Sequence, residues 1–182
     1  MNPRDFDPLR LDVTAFAKGA GQLEGHWPLQ DLLRLHDTAH AEARPGDGDD
    51  VAWRARGEWR RAGGGEGQPW LHVTASARMA LACQRCLGQV IEPLEVTRSF
   101  LFVPGEDAAA QLDADSEDDV LALTRALDLR ELVEDELLLA LPLVPRHAVC
   151  PEPLPLVQDP EIADGKPNPF AVLAALKRGP AN

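Results

Sequence analysis

The chain has 182 residues, a length that suits one domain with a buried core. Its formal net charge of −12 argues against nucleic-acid binding through overall charge, so any RNA contact must be local. No apolar run approaches the roughly 20 residues that span a bilayer, and the acidic start lacks a signal-peptide pattern, so we expect a cytoplasmic protein without membrane contact.

Short elements and a loop are predicted before residue 51. Alternation near Leu11 to Val13 indicates a short strand. Pro28 suits a first helical turn, because its missing N–H would be unpaired there anyway, and it begins a predicted helix that ends at His36. Residues 41–50 combine helix breakers with acids, so we expect a mobile loop there.

Residues 51–103 are predicted to form a sheet. Apolar and polar side chains alternate over residues 51–60 and again over residues 71–83, which is typical of half-buried strands. The glycine-rich residues 63–67 between these runs predict a hairpin turn, and a third run of the same period follows residue 87. The pattern therefore predicts a twisted antiparallel sheet or partial barrel.

An acidic segment and a helix are predicted after the sheet. Residues 104–119 carry too little apolar surface to offset the entropy of ordering, so we expect a mobile loop. A short strand follows at residues 120–123. Asp128 can cap a helix over residues 129–141, whose apolar residues recur at helical spacing and predict a stripe packed on the sheet.

Prolines dominate the chain after this helix. They predict an extended segment that includes a mobile loop near residues 151–167. Asn168 as cap and Pro169 in the first turn predict a short C-terminal helix. The chain is thus predicted to be a single α+β domain over residues 1–182, with a packed central helix and a short C-terminal helix.

The cysteines raise the question of a metal site. Cys83 and Cys86 have the spacing of half a tetrahedral zinc site, and His147 and Cys150 complete a Cys3His set if the two segments meet. Zinc is the one cofactor that the pattern suggests. Two other interpretations stay open: inert, packed thiols, or redox-active thiols, although a motif between strands lacks the helix N-terminus typical of redox cysteines.

The predicted sheet is basic although the chain is acidic. Residues 51–100 contain seven arginines against four glutamates, a local net charge of +3. Arginines on one face can bind RNA phosphates bidentately, and the candidates are Arg54, Arg56, Arg60, Arg78 and Arg85. The alternative is a solvated face whose arginines pair with neighbouring acids. Trp53 and Trp59 have the opposite parity, so we expect core packing rather than base stacking.

Most of the negative charge lies in one stretch. Residues 104–136 contain twelve acids against two arginines, a local net charge of −10. This stretch is either a solubilising segment or a surface that mimics nucleic acid or holds a basic protein by complementary charge. The candidate partner-binding residues are Asp113, Asp115, Glu117, Asp118 and Asp119.

No catalytic pattern is recognisable in the sequence. Residues 63–67 lack the lysine and hydroxyl of a phosphate-binding loop, and the histidines outside the Cys3His set form no ligand pattern. We therefore expect a protein that is not an enzyme.

Three blocks in this order resemble the YceD family. They are Cys83-Gln84-Arg85-Cys86 after a strand, Asp128 to His147 with Leu139-Ala140-Leu141-Pro142, and Lys166-Pro167-Asn168-Pro169-Phe170 continuing to Lys177. The resemblance implies a role in accumulation of large-subunit ribosomal RNA, without catalytic activity. It also implies that the Asp128 to Leu141 helix packs its leucines on the sheet and shows Glu134 and Asp135 outward.

Three functional hypotheses follow. The first is an assembly factor that contacts large-subunit ribosomal RNA through the basic sheet. The second is an acidic interaction module or chaperone for a basic large-subunit ribosomal protein. The third is a zinc- or thiol-dependent enzyme. The sequence leaves the oligomeric state open.

Overall fold

The computed structural model describes residues 6–43, 49–61 and 67–151. In chain order the elements are α1 (Val13–Lys18), β1 (Gln22–Pro28), a 3-10 turn (Leu29–Asp31), α2 (Leu33–Asp37), a 3-10 turn (Ala41–Ala43), β2 (Asp50–Arg60), β3 (Gln68–Ala82), β4 (Gln89–Val103), α3 (Glu106–Asp113), β5 (Asp119–Ala122) and α4 (Leu129–Leu139). The predicted C-terminal helix at Asn168 lies outside the described residues. No helix in the described ranges is long and apolar enough to cross a membrane.

The five strands form one open sheet in the order of the chain. The pairs β1–β2, β2–β3 and β3–β4 are antiparallel, whereas β5 runs parallel to β4 after a crossover through α3. The α+β prediction is confirmed, and the sheet is mixed and unclosed because β1 and β5 do not pair with each other.

Helices α1 and α4 cover one face of the sheet. Leu129, Val133 and Leu137 of α4 are fully buried, as the helical spacing predicts, and they pack with the inward residues of β2, β3 and β4. The Asp128 carboxylate caps α4 by accepting hydrogen bonds from the backbone N–H groups of Arg130 (2.9 Å) and Glu131 (3.1 Å). Helix α4 thus packs on the sheet and forms part of the main core.

The second face of the sheet is open except at one end. There α3 buries Ala109 against Leu101, Val103 and Val120, together with Trp70. Residues 104–119 were expected to form a mobile loop, and this apolar contact explains why residues 106–113 instead form a helix. The strand predicted at residues 120–123 is present as β5.

The N-terminal elements differ from the sequence-based expectation. Val13 begins α1 rather than a strand, because the Asp12 carboxylate caps the helix through the N–H of Ala15 (2.8 Å). Pro28 ends β1 instead of starting a helix, and α2 begins only at Leu33. Strand β1 was missed since its glycine and proline resemble breakers, and its pairing with β2 overrides that local preference.

Glu134 is turned inward, which corrects the expectation that it faces solvent. It is 8% exposed, and its carboxylate accepts the backbone N–H groups of Arg34 (2.7 Å) and Leu35 (3.1 Å) at the start of α2. The same carboxylate forms an ion pair with the Arg34 guanidinium (2.9 Å), which also contacts Asp135. A charged residue in α4 therefore anchors α2.

Candidate metal centre and nucleic-acid interface

A tight turn between β3 and β4 presents the first two cysteines. The N–H of Cys83 donates to the carbonyl of Gly88 (2.8 Å), and the N–H of Leu87 donates to the carbonyl of Cys83 (2.9 Å). Leu87 takes a left-handed backbone conformation with φ of 61° to close the turn. We call residues 83–89 the knuckle. Its backbone bonds direct both thiols to the same side.

The segment after α4, residues 143–150, returns to the knuckle. The N–H of Gln84 donates to the carbonyl of Pro145 (2.9 Å), which fixes the segment beside the turn. His147 and Cys150 then meet Cys83 and Cys86, so the two half-sites that share one spacing in the sequence converge in space. Only tertiary folding brings them together.

The four side chains bring their ligand atoms close enough to hold one metal ion. Their ligand atoms all lie within 4.8 Å of one another. The Sγ atoms of Cys83 and Cys150 are 3.8 Å apart, and Cys86 Sγ lies 3.5 Å from His147 Nδ1. Bond lengths of about 2.3 Å for Zn–S and about 2.05 Å for Zn–N in a tetrahedron give separations of about 3.8 Å and about 3.6 Å. The donor set therefore fits Zn²⁺.

The surroundings of the cluster also suit a metal. His147 Nε2 lies 2.8 Å from the carbonyl of Gln89, so this nitrogen carries the proton and Nδ1 is left as the ligand atom. The guanidinium of Arg85 donates to Cys150 Sγ (3.3 Å). Arg85, a candidate for RNA binding, is thus placed at the knuckle, where its guanidinium contacts a sulfur of the cluster.

The thiols of the knuckle differ in acidity. Burial opposes ionisation of Cys83, but backbone N–H groups of Arg85, His147 and Cys86 outweigh it and lower the pKa of this thiol to about 5. The Gly88 backbone favours the Cys86 thiolate, yet burial and the neighbouring Cys83 raise the pKa of Cys86. The arrangement favours thiolate at the buried end of the cluster.

Four of the predicted RNA-binding arginines share the open face of the sheet. Arg54 pairs with Glu24 on β1 (3.0 Å), while Arg56 and Arg60 both pair with Glu58 (3.5 and 2.8 Å). Arg78 is exposed and forms no ion pair with another described residue. These arginines pair mainly with glutamates of the sheet, and Arg60 also interacts electrostatically with Asp118 of the acidic stretch.

A shallow trough crosses this open face. It has a volume of about 680 Å³ and is lined by small or hydroxyl-bearing residues between Glu24, Arg54 and Glu95; the central ones are Ala52, Thr74, Ser76 and Thr97. A second hollow of about 420 Å³ continues it past Arg78. The sheet therefore offers two adjoining hollows with mixed polar and apolar linings on its open face.

The tryptophan rings of β2 are packed against other side chains, as their parity predicts, although Trp53 also lines part of the trough. Trp53 is 7% exposed and stacks on Trp27 at 4.3 Å between ring centroids. Trp59 is half-buried under the Lys18 ammonium, 4.7 Å from its ring. Both rings serve packing rather than base stacking.

The five acidic candidates lie together between α3 and β5. All of them are exposed, and none forms an ion pair with another described residue. Asp113 accepts the N–H of Val120 (2.9 Å) and so orders the turn. The others, Asp115, Glu117, Asp118 and Asp119, project from that ordered turn as a concentrated negative surface.

A polar network on β2, β3 and β4 was not predicted. His72 lies 2.8 Å from Ser99 Oγ through Nδ1 and 2.8 Å from Glu58 Oε2 through Nε2. The hydrogen bond from Arg60, followed by that from His72, lowers the pKa of Glu58 to about 2. The three residues are far apart in sequence, so only strand register could have shown the network.

Comparison with known proteins identifies relatives. Residues 71–177 match the family described as "Large ribosomal RNA subunit accumulation protein YceD". A protein of that name from Haemophilus influenzae is 40% identical over 103 residues, which cover 54% of this chain and 59% of the relative. The chain therefore spans about three fifths of that relative's length. No solved structure matches the chain.

Proposed function

We propose, since the chain belongs to the YceD family, that it is a non-enzymatic ribosome-biogenesis factor that supports accumulation or processing of large-subunit ribosomal RNA in the cytoplasm. The family match covers more than half of the chain, including three of the five strands, α4 and the metal cluster, and this observation carries the proposal. We further propose that the protein binds the RNA directly.

The open sheet face supports direct RNA binding. Glutamates of the sheet hold its arginines, and the Arg54–Glu24 ion pair, with both side chains 71% exposed, is worth only about 0 to 1 kcal/mol. A phosphate can replace such a glutamate at little cost, because Arg binds it with the same planar fork. Arg78 lines the second hollow and extends the contact there, while Arg56 and Arg60 lie further along β2 on the same face.

The RNA proposal is tested by affinity measured against salt. Fluorescence anisotropy with labelled fragments of large-subunit ribosomal RNA should show a dissociation constant that rises steeply between 50 and 200 mM salt, as expected for about two or more phosphate contacts. Arg54→Glu should weaken binding. The matched variant Glu24→Gln should strengthen it, because it frees the same guanidinium. Equal affinity of both variants would contradict a phosphate contact at Arg54.

We also propose that the Cys3His cluster holds one Zn²⁺ as a structural ion. The tetrahedral separations and the His147–Gln89 hydrogen bond support this assignment. With all four positions supplied by the protein, the ion would join the knuckle to residues 143–150. Metal analysis of the purified chain should give about one equivalent of zinc, and Cys150→Ser should lose it. A full zinc content in Cys150→Ser would refute this set of ligands.

A second candidate function rests on the acidic turn. Asp115 and Glu117 are exposed and form no ion pair with another described residue, and the exposed Asp118 interacts only through space with Arg60, so the three suit a basic large-subunit ribosomal protein. A pull-down with RNase treatment separates the two candidates. A ribosomal protein retained after RNase and released by Asp115→Lys with Asp118→Lys supports the acidic module, whereas loss of all partners after RNase supports RNA binding.

A further inference from the structure

We infer that the knuckle and the adjoining residues 143–150 form a binding site for unpaired ribosomal RNA, in which Leu87, Val144 and Val149 contact a base and Arg146 contacts a phosphate. The inference rests on the proposed function and adds a second RNA contact, at the metal cluster rather than on the sheet face. We call this surface the knuckle surface.

Large apolar side chains are exposed at this end of the molecule. Leu87 is 62% exposed, Val144 57% and Val149 83%, and Leu143 is wholly exposed. Each of the first three follows or precedes a residue that holds the cluster together: Leu87 follows Cys86, Val144 precedes Pro145, and Val149 precedes Cys150. Neighbouring exposed aliphatic groups on a fixed backbone are typical of interaction surfaces.

The backbone conformation of Leu87 indicates that its side chain has a role other than forming the turn. With φ of 61° it adopts a backbone region that glycine enters freely and that a residue with a Cβ adopts at a cost. The turn itself needs only the N–H of residue 87, which bonds to Cys83, and its carbonyl, which faces His40 Nε2 at 3.1 Å. A glycine would provide both groups. The exposed leucine is thus unnecessary for the turn, and strained backbone of this kind concentrates at functional sites.

The charge of the knuckle surface favours a nucleic acid as its ligand. Residues 83–89 and 143–150 contain two arginines and no carboxylate, in contrast to the sheet face, where glutamates hold the arginines. Arg85 is directed to Cys150, while Arg146 is exposed and has no hydrogen bond or ion pair with another described residue. A basic protein segment would be repelled, whereas a phosphate next to Arg146 would be attracted.

The apolar groups further select unpaired RNA over a duplex. In a double helix the base faces are stacked, and a protein reaches only the sugars, phosphates and groove edges. Aliphatic side chains at a knuckle tip gain contact only with a base that is free to lie against them. A loop or single strand of ribosomal RNA therefore matches the combination of Leu87, Val149 and Arg146.

The test uses the full-length, zinc-loaded chain and two labelled RNAs, a single-stranded oligonucleotide and a hairpin duplex of the same composition. Leu87→Asn removes the apolar group, and asparagine tolerates the left-handed conformation, so zinc content and thermal unfolding should be unchanged. We expect its affinity for the single strand to fall roughly fivefold or more while affinity for the duplex stays the same. Arg146→Glu should weaken binding and reduce the salt slope by about one.

Arg54→Glu on the sheet face is the matched comparison. If it weakens RNA binding while Leu87→Asn and Arg146→Glu bind as tightly as the wild type, the knuckle surface is not an RNA site and the proposed function stands. If the wild type binds neither RNA at low salt, direct RNA binding fails and this inference fails with it. A larger loss for the duplex than for the single strand in Leu87→Asn would also overturn the inference.

Discussion

Replacing Glu134 with alanine tests whether a buried carboxylate in α4 holds α2 in place. The carboxylate accepts two backbone N–H groups of α2, and its side chain is 10% exposed, so water cannot readily substitute. Each N–H left without an acceptor costs about 1 to 2 kcal/mol, as in the loss of a helix cap. The ion pair with the half-exposed Arg34 adds little, because solvent screens it. Glu134→Ala should therefore lower the free energy of unfolding by about 2 to 4 kcal/mol.

Urea unfolding followed by circular dichroism at 222 nm measures this change. Asp135→Asn is the matched control, because Asp135 contacts the same guanidinium but is 47% exposed and accepts no backbone N–H in the described ranges. We expect this control to cost at most about 0.5 kcal/mol. Glu134→Gln keeps one acceptor oxygen and should fall between the two. Equal losses for Glu134→Ala and Asp135→Asn would refute the capping role and leave only the ion pair.

Three further changes test the sheet and the turn. The pKa of Glu58 is lowered from 4.5 to about 2, chiefly by Arg60, so its carboxylate contributes stability above pH 4.5 that is lost as the pH falls toward 2. Glu58→Gln should therefore reduce the loss of stability between these two pH values. An acid-unfolding profile equal to that of the wild type would contradict this linkage. Gly57→Ala should lower the free energy of unfolding, measured with a chemical denaturant, by about 2 kcal/mol or more. The added Cβ would lie 2.7 Å from a ring atom of Phe16 and 2.8 Å from the Phe16 carbonyl. An unchanged free energy of unfolding would show that α1 can shift to make room. Leu87→Val should lower the free energy of unfolding by about 1 to 2 kcal/mol, since a β-branched residue fits φ of 61° poorly. A melting temperature equal to that of Leu87→Asn would argue against backbone strain at this position.

The charge pattern of the sequence predicted two charged surfaces but not the ion pairs within them. The salt bridges of Arg54 and Arg60 go to Glu24 and Glu58 of the sheet, while Asp118 of the turn adds a weaker electrostatic interaction with Arg60. The partner glutamate on β1 could not be assigned from sequence, because the strand itself was missed. Arg98 is the exception, and it pairs with the buried Glu136 of the acidic stretch (3.1 Å).

Local patterns in the sequence determined much of this protein. The period of two in β2, β3 and β4 and the helical spacing of α4 follow from which side chains must leave water, and these elements form as predicted. The Asp128 cap and the C-x-x-C turn depend on neighbours within a few residues, so they too were recognisable. The spacing of His147 and Cys150 indicated the other half of the metal set.

Tertiary structure alone decided how distant parts meet. It converted residues 106–113 from an expected loop into α3 by offering them the apolar end of the sheet, and it turned Glu134 inward to meet α2. It also brought Cys150 within 3.8 Å of Cys83, across 67 positions of sequence. These outcomes depend on contacts between segments whose separation no local pattern encodes, because each segment is stabilised by a surface that exists only after the rest has folded.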